Sequence, residues 1–196
     1  MPTEQLGKTT RLSAVNSMLA ALGESPATDL ASPTRSDVNA AVDLLDSTSR
    51  EVQGRGWFWN TELQTFNPDT SNRITISQTV LNVDAAEHGI RDQVIERGGM
   101  LYSLHENSYE FSAPIDLIVV THLPFEAIPE SARNYIARRA SRILQENRVG
   151  DPSLVKYAER LEAEGLYLLQ EMESSNGDYS SFRNSTVASL YRMRGI

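Results

Sequence analysis

Three histidines, 26 acidic side chains and no cysteine are the raw material for chemistry in this chain of 196 residues. His88, His105 and His122 are scattered, and none belongs to a His-Glu-x-x-His or His-x-His arrangement that would hold a metal. The absence of cysteine excludes disulfides, thiolate nucleophiles and cysteine-based zinc sites. No Gly-x-Ser-x-Gly elbow, Walker loop or Gly-x-Gly-x-x-Gly is present. Gly98-Gly99 falls between two strand patterns and reads as a turn, not a phosphate cradle. Glycoside cleavage needs two carboxylates flanking one bond. Glu62, Glu96 and Asp116, all on expected strands, are the nominees for such a pair. The reading is a non-enzyme with no catalytic, cofactor or metal residues, with glycan hydrolysis as the alternative.

The elements that would position these side chains divide the chain. Ser13 is the expected N-cap of a first helix carrying Val15, Met18, Leu19 and Leu22, closed by Gly23. A second begins at Ser36 or Asp37, carries Val38, Val42, Leu45 and Val52 on one face, and stops at Gly54 and Gly56. From Trp57 the pattern turns to strands: Trp57–Phe66, Arg73–Ile76, Val80–Val83, Val94–Arg97, Met100–Leu104 and a short Tyr109–Phe111. Ile115–Val120 reads as a buried central strand, and Gly98-Gly99 as the tight turn of a hairpin. Trp57-Phe58-Trp59 is expected to plug the sheet against the helices rather than to stack on bases or sugars.

Helix returns with Pro129 in its first turn, its apolar face made by Tyr135, Ile136, Ala140, Ile143 and Leu144. Asp151-Pro152 opens a long helix to about Ser174, with Val155, Ala158, Leu161, Leu168 and Met172 inward and Gly165 as a close-packing point. The predicted fold is α+β: a helical bundle from both ends of the chain with an inserted antiparallel β-meander. Its segments are 1–56 (helices), 57–125 (β-region), 126–175 (helices) and 176–196 (an extended tail).

Charge sorts the last two helices. Residues 131–149 hold five arginines, Arg138 and Arg142 among them, against Glu146; residues 151–174 hold six acids against Lys156 and Arg160. Opposite charge beside an apolar seam favours salt bridging between neighbours over phosphate contact. The chain as a whole carries −8, which argues against broad nucleic-acid binding. No apolar stretch approaches the roughly 18 residues of a membrane span, and Met1 to Thr10 has no signal-peptide core.

Several short motifs then occur in a telling order. They are Leu12-Ser13-Ala14-Val15-Asn16, Leu22-Gly23-Glu24 with Pro26, Arg55-Gly56-Trp57 with Asn60, Arg97-Gly98-Gly99 with Leu101-Tyr102, Leu123-Pro124-Phe125-Glu126, and Arg133 with Tyr135-Ile136 and Ala140-Ser141-Arg142. This ordered set, spread over Leu12 to Gly150, resembles the tail tubular protein A family, the head–tail adaptors of short-tailed bacteriophages. The resemblance implies a dodecameric ring at the head–tail junction of the virion, made in the host cytoplasm without membrane insertion. Its implied partners are further copies of itself, the portal, a nozzle protein of the tail tubular protein B type, and tail fibres. DNA would pass through its channel without specific binding. By analogy the tail residues Phe182, Arg183, Val187, Leu190, Tyr191, Arg192 and Arg194 are candidates for gripping the portal. Arg97, Gly98, Gly99, Arg138 and Arg142 are candidates for a subunit, nozzle or fibre interface.

Overall fold

The computed structural model describes residues 7–31, 35–86 and 93–181, with 177–181 as backbone alone. The chain forms two compact units. One takes Met1–Val52 and Pro124–Ser174; the other takes Gln53–Leu123, and the end of the last helix from Ser175 groups with it.

The first unit is helical: α1 (Arg11–Ala21), α2 (Ser36–Gln53), α3 (Glu130–Arg148) and α4 (Pro152–Ser181). Thr10, not Ser13, caps α1, with Ser13 as the reciprocal partner of a capping box. Both residues carry the hydroxyl that the motif needs, so composition did not distinguish them. Pro129 is likewise the N-cap of α3 instead of a residue of its first turn. The core is built from Val15, Met18 and Leu19 of α1, Val38, Ala41 and Leu45 of α2, and Tyr135, Ile136 and Leu144 of α3, closed by Ala158 and Leu169 of α4. Leu168, expected inside, is 45% exposed. The apolar stripe of α4 is rotated toward Leu169 because Gly165 lets the α4 backbone sit down on Tyr135.

The long helix also runs further than expected. Asn176-Gly177 does not break it, and α4 continues to Ser181, so residues 176–181 are helical rather than extended. One interior glycine costs a helix about 1 kcal/mol, too little to end it without a capping alternative. The remaining tail residues, Phe182 to Ile196, lie outside the described residues.

The second unit holds β1 (Thr61–Phe66), β2 (Val80–Ala85), β3 (Val94–Arg97), β4 (Met100–Ser103) and β5 (Ile115–Thr121). Its connectivity corrects the expected meander. The last strand is central, in the order β1-β5-β2, while β3 and β4 form a separate hairpin. All the pairings are antiparallel. Leu117 and Val119 of β5 join Val83, Ala85, Val94 and Leu101 in one core between these two layers, together with Ile74 and Ile76. The segment Arg73–Ile76 supplies those two side chains as extended chain with isolated bridges, not as a strand, and the same holds around Tyr109. Trp57, Phe58 and Trp59 form a turn before β1 rather than its beginning.

Two buried amides close the neck of this insertion. Gln53 Nε2 donates to Leu123 O at 3.0 Å, and Leu123 N–H returns a bond to Gln53 Oε1 at 2.8 Å. Asn60 Nδ2 donates to Gln53 O and Thr121 O, and its Oδ1 accepts from Trp57 N–H. The chain enters and leaves the β unit through one hydrogen-bonded knot, in which buried polar groups find partners.

Candidate assembly surface

Three arginines of α3, Arg138, Arg139 and Arg142, are engaged from within. Each carboxylate oxygen of Glu162 on α4 takes one of them: Arg139 Nη1 at 2.8 Å, and Arg142 through Nε. Arg139 also reaches Glu51 of α2 at 2.6 Å, and Arg142 reaches Glu146 at 2.7 Å. Arg138 donates to Leu161 O and to Glu164, both at 3.0 Å. Three helices are therefore tied by one chain of alternating charge. Burial pulls the Arg139 pKa down most strongly of any single influence, but its Glu162 bond and the neighbouring acidic groups, the Glu51 and Glu162 carboxylates among them, outweigh that and raise it. Arg138 and Arg142, candidates for contacting other proteins, each make two hydrogen bonds within the helical unit, Arg138 to α4 and Arg142 to α4 and α3.

Arg133 does something different. It is 5% exposed, and its guanidinium donates to three backbone carbonyls: Ile128 at 2.9 Å, Thr9 at 2.8 Å, and Glu126. Glu130 fixes the same strand of chain by accepting from the Thr9 N–H at 2.8 Å and the Thr9 hydroxyl at 2.5 Å. The segment before α1 is thus stapled to the start of α3 at a point that a one-dimensional charge count treats as one more surface arginine.

The outer side of α4 is unusually apolar. Leu154, Tyr157, Tyr167 and Leu168 are all exposed, the two tyrosines by 62% and 64%. Leu154, Tyr157, Leu161 and Leu168 follow helical spacing along one flank. Exposed apolar groups gathered on one face of a helix mark an interaction surface more often than scattered ones do.

On the β unit, Gly98 and Gly99 both hold left-handed backbone, with φ of 62° and 79°, and turn the β3–β4 hairpin. Glu96 Oε1 caps that turn by accepting from Gly99 N–H at 2.6 Å. The Arg97 guanidinium lies 4.1 Å from the centre of the Tyr102 ring, which in turn meets Tyr109 edge-on at 4.8 Å. The hairpin tip is a stiff, cationic and aromatic projection.

The nominated acid pair is not assembled. Glu62 stands opposite Val119 and Asp116 opposite Thr65, so the two carboxylates project from opposite faces of the sheet. Glu62 accepts from Gln64, Asp116 from the Thr65 hydroxyl, and Glu96 serves the hairpin turn. His105 lies 3.7 Å from Glu106. The His122 N–H donates to Thr79 O, and His88 is outside the described residues. Among the described residues no three histidine or acidic side chains gather as a metal site would require.

The tail tubular protein family matches residues 12–179, a span that takes in α1 through almost all of α4. The chain belongs to the tail tubular protein family. Tail tubular protein A of Klebsiella phage KP34 is 30% identical over 165 residues, covering 82% of this chain and 85% of the relative. As a tail tubular protein the chain is a structural component of a phage tail.

The motifs that carried the resemblance have identifiable physical work in this tail tubular protein. Gly56 turns the chain out of α2 with φ of 74°, and Asn60 knots the neck. Arg97-Gly98-Gly99 forms the hairpin tip, and Arg133 staples the chain ahead of α1. The seven candidate tail residues from Phe182 to Arg194 lie outside the described residues. Sequence reasoning missed the knot of Gln53 and Asn60 and the exposed flank of α4. The signal for the second was present, since α4 carries more apolar positions than one buried stripe uses.

Proposed function

We propose that this tail tubular protein is the head–tail adaptor of its virion, a non-enzymatic dodecameric ring between portal and nozzle that continues the DNA channel. The observation that carries the reading is the family match over residues 12–179. Three physical features support it. Glu162 and its two arginines stiffen the helical unit, and identical rigid units joined head to tail close a ring through heterologous contacts. The apolar flank of α4 supplies surface for such a contact. A net charge of −8 on each copy gives an acidic ring through which DNA slides without sticking.

Within that reading, residues Phe182 to Arg194 grip the portal, and the Arg97-Gly98-Gly99 tip meets nozzle or fibre. Arg138 and Arg142 serve the interface by stiffening the helices behind it. The test is to mix the purified chain with portal rings of the same phage, weigh the product and image it. A ring seated on one end of the portal is the expected result. No association across a range of salt concentrations overturns the adaptor role.

A further inference from the structure

β1 opens on a near-palindrome. Thr61-Glu62-Leu63-Gln64-Thr65 reads alike in both directions about Leu63, with a carboxylate on one side answered by an amide of equal length on the other. The strand stands at the edge of its sheet: β5 is its neighbour on one side, and among the described residues nothing pairs with the other. Thr121 N–H donates to Asn60 O, so the bonded pairs that follow are Glu62–Val119, Gln64–Leu117 and Phe66–Ile115. Ala86 N–H donating to Asp116 O, away from β1, agrees with that phase. The backbone N–H and C=O groups of Thr61, Leu63 and Thr65 therefore point off the sheet.

Little in β1 guards this edge. It has no proline and no lysine, and Glu62 is its one charge. Glu62 to Thr65 are all exposed, Leu63 by 47%, although β5 beside them is buried from Leu117 to Val120. Unguarded edges of this kind template pairing with a further strand.

We propose that in the free protein the strand is β1 of a second copy, paired antiparallel about a two-fold axis at Leu63, so that the two sheets become one. The palindrome and the phase select this occupant together. An axis at Leu63 makes Leu63 a bonded pair with its own counterpart, and sets Thr61 in a bonded pair with Thr65 of the second copy. Every outward backbone group of those three residues then has a partner. Glu62 falls opposite Gln64 of the second copy in a non-bonded pair, where side chains stand closest. Within one chain Gln64 Nε2 already donates to Glu62 Oε2 at 3.1 Å, and a primary amide carries a second N–H for the carboxylate across the axis. A slip of two residues keeps the phase but sets Glu62 against Glu62 or against Phe66, which the matched register avoids. The contact uses one surface twice, so it makes a pair and not a ring. It concerns the unassembled chain, and its failure leaves the adaptor reading untouched.

Sedimentation equilibrium of the full-length chain, from micromolar to millimolar concentration, is expected to show monomer and dimer. Gln64→Lys sets an ammonium opposite Glu62 twice across the axis and should tighten the dimer about tenfold, whereas Gln64→Glu should weaken it about tenfold. Asn82→Lys, exposed on β2, changes net charge as Gln64→Lys does but away from the edge, and should leave the affinity within about twofold. Leu63→Pro removes only an outward donor and should abolish the dimer. Hydrogen exchange supplies the fold control: the Glu62 and Gln64 amides, bonded to β5, should stay protected in that variant. In the unaltered chain the Thr61, Leu63 and Thr65 amides should exchange about tenfold faster or more on dilution to monomer. A chain that stays monomeric throughout overturns the proposal, as does a dimer that survives Leu63→Pro or answers Asn82→Lys as it answers Gln64→Lys. Protection of those three amides that is independent of concentration also overturns it, because the cover would then belong to the same chain.

Discussion

Gly165 of α4 rests on Tyr135 of α3: a Cβ at position 165 would stand 3.3 Å from the Tyr135 Cα and 3.1 Å from the Arg138 Cδ. The glycine is there for approach, not for turning, because it lies inside a helix. Gly165→Ala should change stability by less than about 1 kcal/mol, since a gain in helix propensity offsets a small displacement of Arg138. Gly165→Leu forces the helices apart and should cost about 1–3 kcal/mol. Denaturant midpoints of the two variants check this, and a leucine variant as stable as the parent would show that the seam is slack.

Arg133 should be irreplaceable by lysine. An ammonium presents no planar fork to reach Ile128 O, Thr9 O and Glu126 O together. Arg133→Ala leaves buried carbonyls unpaired and should cost on the order of 3 kcal/mol, with Arg133→Lys recovering less than half. Equal stability of the lysine variant and the parent in urea would contradict the staple.

Asn60→Ala should loosen the neck of the β unit. Three backbone groups each lose a hydrogen bond: the carbonyls of Gln53 and Thr121 and the N–H of Trp57. A loss of about 2–4 kcal/mol is expected, together with a change in tryptophan fluorescence from Trp57. A change below 1 kcal/mol would mean that water replaces the knot at little cost.

The carboxylate of Asp69 accepts from Arg73 N–H at 2.9 Å and Ser71 N–H at 2.8 Å. These bonds hold its pKa below the 3.8 of an ordinary aspartate, the Arg73 amide contributing most. A pKa lowered by folding adds stability that is complete above the unfolded value and is lost as pH falls through the folded one. The turn from Asp69 to Arg73 should therefore open only below about pH 4. Carbon-detected NMR titration of the Asp69 carboxyl would show it, and a midpoint above 4 would refute the assignment.

Tyr157→Glu should separate folding from assembly. The side chain is exposed by 62%, so the stability of the isolated chain should change by about 0.5 kcal/mol or less and its thermal midpoint should barely move. If the α4 flank joins copies in the ring, sedimentation of portal mixtures should show loss of the ring. A ring that forms normally removes this flank from the interface.

Much of this could be read from residue order alone. Helical spacing located α1 to α4, Gly98-Gly99 located the hairpin, and the opposite charges of residues 131–149 and 151–174 foretold the pairing of Arg138, Arg139 and Arg142 with Glu162 and Glu164. These are short-range properties: periodicity, turn geometry and the attraction of adjacent helices joined by a short link. The ordered motifs likewise placed the family before any packing was known.

Tertiary structure decided what depends on distant residues. Strand order is one case: β5 pairs with β1 across some fifty intervening positions, and no local pattern states which strand a chain will return to. Partner choice is another. Arg133 looks like Arg138 in a sequence, yet one is buried on backbone carbonyls and the other bridges to α4, because burial is set by what folds over a residue. The same reason separates Glu62 from Asp116, which share a sheet but not a face. Local propensity fixes which elements form, whereas the satisfaction of every buried polar group and the placing of every apolar stripe are settled only when all the elements meet.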